Sequence, residues 1–176
     1  MGSFLGHFRT ITRHRNKVMI HCFKAGILWR GILHDLSKYS LSEFLEGARN
    51  YEDGGRSPNE KSRETLGYSP AWLHHKGRNK HHFEYWTDYN PVKKTFGPVK
   101  MPLVYVKELF CDRVAASKTY QKDKYTDSHP IEYFRGGIAA KSMHPETAAL
   151  VEKLLVMLEQ EGEEKTFRYI RNLREY

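Results

Sequence analysis

LVYVKELFCDRVAASKTYQ, residues 103–121, sets the fold class. Leu103, Val106, Phe110, Val114 and Ser117 recur along it at helical spacing, and Pro102 opens it where a first-turn proline is tolerated. It reads as a long amphipathic helix. Before it, residues 77–102 carry Pro91, Gly97, Pro98 and Pro102 and read as an ordered loop. Ser69-Pro70 opens another helix, with serine at the cap and proline in the first turn. Further back, EDGGRSP (52–58) is a loop by composition with a short helix after it, and Ser40 or Ser42 caps a helix to about Tyr51. ILWRGILHDL continues as a helix to near Lys38. Phe4, Phe8, Ile11, Val18, Ile20, Cys22 and Phe23 mark a first helix, with the turn between the two near Gly26 and Gly31. After the central helix, 129–136 forms a short helix and HPETAALVEKLLVMLEQ a long one, broken at Gly162 before a last helix to about 174. No stretch alternates long enough to read as a strand. The expected fold is all-α: one domain over 1–176, with about seven to nine helices around a core spanning about 10–165.

A chain of 176 residues is long enough to bury roughly 70% of the surface its unfolded form exposes, so it needs no covalent staples. With 39% hydrophobic and 13% aromatic residues it is too rich in core formers to be disordered. No apolar run reaches the roughly 20 residues of a membrane span, and MGSFLGHFRTITRHR lacks the apolar stretch of a signal peptide. Cys22 and Cys111 cannot make a disulfide framework, so a reducing, cytoplasmic setting is expected. The net charge of +8 is spread from Arg9 to Arg174 without a block of five cations. Such a spread reads first as an ordinary solvated surface; it is well matched to small phosphate-bearing substrates, and nucleic acid is the less expected main partner. The ten histidines are the least ordinary feature.

Chemistry concentrates in HDLSK (34–38), HHKGRNKHH (74–82), CDR (111–113) and the histidines of the first helix. Imidazole nitrogens and carboxylate oxygens are the donors that divalent transition metals take. His34 and Asp35 lie about 100° apart on a helix, so they share an ion only if it sits across the helix end. Lys38 places a cation a turn further on, where it could offset charge on a substrate phosphate. His74, His75, His81 and His82 form two pairs seven residues apart. On a continuous helix they could not share a metal, but Gly77 and Asn79 turn the chain and bring the pairs together. Neighbouring Trp72, Tyr85 and Trp86 belong either to the core or to the wall of a site. Asp112 sits mid-helix between apolar neighbours, where a carboxylate needs a cation or metal as partner. His7, His14 and His21 recur every seven residues on nearly one face, so spacing leaves both His14 and His21 open as ligands.

In this order, a helical His, HD, further histidines and a distal Asp resemble the HD-domain superfamily of all-α metal-dependent enzymes. Its members are mostly phosphohydrolases, with a smaller branch of di-iron oxygenases. HDLSK resembles its HD-x-x-K form and CDRVAAS its helical Asp-Arg element; AWLHHKGRNKHHFEYW resembles more narrowly a bacterial and phage branch without assigned function. The interval to the HD pair is 20 residues from His14 but 13 from His21, too few for a helix, a turn and a return, which favours His14. The resemblance implies one or two divalent ions, iron or manganese ahead of zinc, cobalt, nickel or magnesium. Their ligands would be His14, His34, Asp35, Asp112 and some of His74, His75, His81 and His82. It also implies hydrolysis of a phosphate ester, with nucleotides included, by a metal-activated water. Asp35 and Lys38 would be catalytic, and Lys38 and Arg78 would bind substrate. The alternatives are a di-iron oxygenase on the same scaffold and a non-catalytic, metal-stabilised nucleic-acid-binding module.

Overall fold

The computed structural model describes residues 3–52 and 57–176. Among these residues there are nine α-helices and one two-stranded sheet, so the fold is all-α: α1 Phe4–Lys24, α2 Leu28–Leu33, α3 Leu41–Arg49, α4 Pro58–Leu66, α5 Pro70–Lys76, β1 Thr87–Asn90, β2 Thr95–Pro98, α6 Leu103–Gln121, α7 His129–Gly136, α8 Ala139–Ser142 and α9 Pro145–Asn172. No described helix is long and apolar enough to cross a membrane. Most of the expected EDGGRSP loop lies outside the described residues.

The central element is α6. Phe110, Cys111, Val114 and Ala115 are fully buried there against Val18 and Cys22 of α1 and Leu154, Leu155, Leu158 and Phe167 of α9. The simple apolar stripe expected for α6 is corrected by its surroundings. Neighbours pack on several of its faces, and Lys107 and Glu108 are buried as well. Lys107 donates to the Leu173 carbonyl, and Glu108 faces the histidines. The turn after α1 falls at residues 25–27, but Gly31 lies inside α2 rather than in that turn. A Cβ on Gly31 would come within 2.7 Å of the Cys22 Cβ, so the residue permits α1 and α2 to cross closely. In α9, Gly162 takes φ 78°, a left-handed conformation that breaks the helix without ending the run.

Two further expectations are corrected. Residues 77–102 hold a hairpin in which Tyr89 pairs with Phe96, their rings 5.7 Å apart. The Asn90 side chain accepts from the Val92 and Lys93 amides, which forms the turn. Both faces are largely exposed, so no two-residue alternation marked these strands. Helix α2 also stops at Leu33 rather than near Lys38. His34 leaves helical geometry, and Asp35 takes a left-handed conformation, φ 53°, before a 3₁₀ turn at Leu36–Tyr39. Arg15 of α1 donates to the carbonyls of Ile32 and His34 and satisfies this early helix end.

Two histidines of α1 serve packing. His7 lies against Gly47 of α3, where a Cβ would meet its ring at 2.4 Å; His21 sits against Phe167 with its Nδ1 3.2 Å from the Cys111 carbonyl. Burial lowers the pKa of each to about 4, assisted at His7 by the Lys38 charge and opposed at His21 by its hydrogen bond. Because the unfolded value is near 6.5, the unfolded chain binds more protons between pH 6.5 and 4. Their contribution is therefore full above pH 6.5 and is lost as pH falls towards 4, by roughly 1–3 kcal/mol each. Urea midpoints measured across this window should fall less steeply for His21→Gln than for the wild type. Equal slopes would show that His21 is protonated at no cost in the folded state.

Candidate metal centre

The early end of α2 turns His34 and Asp35 inward together. His34, Asp35, His75 and His81 are each no more than 3% exposed, and Glu108 is fully buried. Around the Asp35 carboxylate, Oδ1 lies 3.2 Å from His75 Nε2 and 3.4 Å from His81 Nε2, while Oδ2 lies 3.3 Å from His34 Nε2. His75 Nε2 and His82 Nε2 approach to 2.9 Å. On the other side, His14 Nε2 is 2.9 Å from Asp112 Oδ1, and His34 Nε2 is 3.7 Å from the same oxygen. Ligands about 2.1 Å from one ion and roughly 90–109° apart stand about 3.0–3.4 Å from each other, so these spacings suit a shared cation.

Three groups have donor atoms close enough to hold a metal ion: Asp35 with His75, His81 and His82; His14 with His34 and Asp35; and His34 with His81 and Glu108. The buried atoms His34 Nε2 and Asp35 Oδ1 and both ring nitrogens of His81 have no hydrogen-bond partner. Orphaned polar atoms that converge at this depth are costly unless a cation joins them, so the residues fit a divalent metal.

A second layer of carboxylates orients these rings. Glu108 Oε1 lies 3.1 Å from His34 Nδ1 and 3.3 Å from His81 Nδ1, and Arg30 donates to its Oε2 at 2.7 Å. Glu43 holds His75 Nδ1 at 2.8 Å. With the Nδ1 atoms of His34 and His75 held outward, their Nε2 atoms face the inner side, the usual arrangement behind ligating histidines; His81 Nδ1 lies near Glu108 without an aligned hydrogen bond. Asn79 fixes the turn between the histidine pairs, donating to the His75 carbonyl and the Ser37 hydroxyl at 2.8 Å each.

The electrostatics favour positive charge at the centre. Burial opposes ionisation of Asp35 and Asp112, yet neighbouring histidines, with Lys38 beside Asp35, hold both carboxyls well below their usual range. Burial likewise works against Glu108, which His34 and His81 bring down to about 2. At His34, burial is outweighed by Asp35, Glu108 and Asp112, and the ring rises to about 10. His75 also rises, through Asp35 and Glu43, whereas burial keeps His14 and His82 low.

Most of the residues marked in the sequence meet here. His14 lies in the cluster and His21 does not. Lys38 Nζ sits 2.7 Å from Asp35 Oδ2. Trp72 forms the wall, with its ring centroid 4.8 Å from that of His82. Three residues lie outside the three groups: His74 turns to Glu43, Asp112 stands at the edge of the cluster against His14, and exposed Arg78 donates to the His74 carbonyl. Glu108, Glu43 and Arg30 were missed. Glu108 carried one signal, its position four residues before Asp112 on the same helix face. No curated protein and no solved structure matches the chain. Residues 3–157 match DUF5662, a family of unknown function, and the chain belongs to that family.

Proposed function

We propose that the chain is a metal-dependent phosphohydrolase of the HD type, acting on small phosphate esters, whose one or two divalent ions would be held by Asp35 with the histidines around it. One observation carries this reading: the two oxygens of a single buried carboxylate face separate sets of imidazole Nε2 atoms. His75 and His81 lie at Oδ1, with His82 beside them, and His34 lies at Oδ2, with His14 and Asp112 behind it. The nitrogen and oxygen donor set suits iron or manganese, and accepts zinc, cobalt or nickel.

Bound divalent ions supply Lewis-acid polarisation of the phosphoryl group and acidify water. The remaining work falls to side chains. Asp35 would accept the proton of the attacking water. Lys38, with its ammonium held above its ordinary value because Asp35 and Asp112 outweigh burial, offsets charge growing on a phosphoryl oxygen. Water oxygen bonds to phosphorus, the ester P–O bond breaks, and the products are an alcohol and inorganic phosphate.

The test is elemental analysis of protein purified without air, together with phosphate release from a panel of sugar phosphates and nucleotides. Metal-dependent release supports the reading. Bound iron with oxygen uptake and no phosphate release would favour an oxygenase on this scaffold, and release from metal-stripped protein would overturn the metal mechanism. Lys38→Ala should keep its metal and lose about 10²- to 10³-fold in turnover, as when an oxyanion donor is removed. An unchanged rate would reduce Lys38 to a counter-ion of Asp35.

A further inference from the structure

A cavity of about 180 Å³ opens beside the metal groups and reaches them at Lys38 and His75. It is smaller than the roughly 300–1,000 Å³ of sites for drug-sized ligands, so it suits a small ester better than a polymer. Its lining contains three cations, Arg13, Lys38 and Lys122, and two acids, Glu43 and Glu52. The acids are engaged: Glu43 holds His74 and His75, and Glu52 pairs with Lys61. Lys38 pairs with Asp35, and its side chain, 32% exposed, also faces the cavity. Nearby, Lys118 pairs with Glu163, and Lys17 donates to the Lys118 carbonyl and the Thr119 hydroxyl. Arg13 and Lys122 stand on the exposed rim with no acidic partner among the described residues.

Both cations stand on elements that also carry residues of the metal site, Arg13 on α1 and Lys122 just past the end of α6. Lys122 is ten residues past Asp112, about 15 Å of rise at helical pitch, so a side chain reaching back leaves a gap on the order of 10 Å. Arg13 precedes the ligand His14 on α1 and points about 100° away from it. Arg13 and Lys122 therefore give the cavity cations besides Lys38, so that it offers a second position for an anion beside the one at Lys38.

We propose that this cavity recognises a small phosphate ester with a second anionic group, a further phosphate or a carboxylate, which Arg13 and Lys122 bind while the ester phosphate lies at Lys38. The inference rests on the phosphohydrolase reading for its chemistry, but not for its binding.

The test uses the full chain loaded with manganese and three matched pairs: fructose 6-phosphate with fructose 1,6-bisphosphate, adenosine 5′-monophosphate with adenosine 3′,5′-bisphosphate, and glycerol 3-phosphate with 3-phosphoglycerate. Phosphate release gives kcat/KM, and calorimetry gives affinity for each compound. In at least one pair the member with the extra anion should be preferred by about 10- to 100-fold, the scale of a charge-assisted hydrogen bond. Arg13→Gln and Lys122→Gln should each pull that ratio towards one. The pair that responds identifies the second anion as phosphate or carboxylate. Ratios near one in every pair, or a preference that survives both substitutions, would overturn the inference whatever the rate of hydrolysis. Binding preferences that follow the two cations without any phosphate release would keep the inference and remove the hydrolase reading.

Discussion

Asp35→Asn is expected to strip the chain of tightly bound metal and to abolish phosphate release while leaving helical content intact. The residue is central because both of its oxygens face imidazoles, at 3.2–3.4 Å. An amide in its place keeps the shape but removes the negative charge that brings the cationic groups together. It also presents an N–H₂ to at least one side, where a metal ion requires a lone pair. Asparagine is the right probe because Asp35 sits at φ 53°, a conformation that Asn and Asp adopt at small cost and alanine adopts less readily. A loss seen with Asn therefore reports on the carboxylate and not on a strained turn. Elemental analysis and circular dichroism on the same preparation decide the matter. Full metal occupancy in Asp35→Asn would falsify a centre built around this residue.

The sequence and the structure agree most closely where a local physical rule left little freedom. Ser69 accepts from the Trp72 amide with Pro70 in the first turn, as the dipeptide indicated, and α7 spans 129–136. The two histidine pairs could be placed together because Gly77 ends α5 and Asn79 folds its side chain back on His75, so that residues seven apart become neighbours. The meeting of Asp112 with His34 and His14 was legible only as chemistry, since a carboxylate among apolar neighbours needs a cation. Periodicity alone could not aim it.

What escaped the sequence has a common origin in tertiary context. The break at His34 depends on Arg15, nineteen residues away, which satisfies the carbonyls that a continuing helix would have used. The hairpin depends on a side-chain-to-backbone turn at Asn90 and buries too little to leave a pattern. Glu108 was invisible for a related reason. A glutamate in a helix that reads as one-sided belongs by default to the solvated face, but α6 has neighbours on that face too. A central helix is read correctly only when its polar residues are asked what they pair with.

Glu108→Gln tests that lesson. Oε1 lies near the Nδ1 atoms of both His34 and His81, and Oε2 accepts from Arg30, so the carboxylate faces donors at both oxygens. An amide cannot do this in either orientation. If its oxygen faces the imidazoles, its N–H₂ confronts the Arg30 guanidinium, donor against donor. If its N–H₂ faces the imidazoles, both rings must protonate at Nε2 instead, the atoms that would ligate. Either outcome weakens the metal site without removing a ligand, and the expected loss is about 10- to 100-fold in metal affinity. His34 belongs to the group at Asp35 Oδ2 and His81 to the group at Oδ1, so a single substitution should weaken both binding events in a chelator-competition titration. Loss confined to one event would mean that Glu108 orients only one of the two rings. Unchanged affinity with a lowered melting temperature would make Glu108 a packing partner of Arg30 and leave the ring orientation to other contacts.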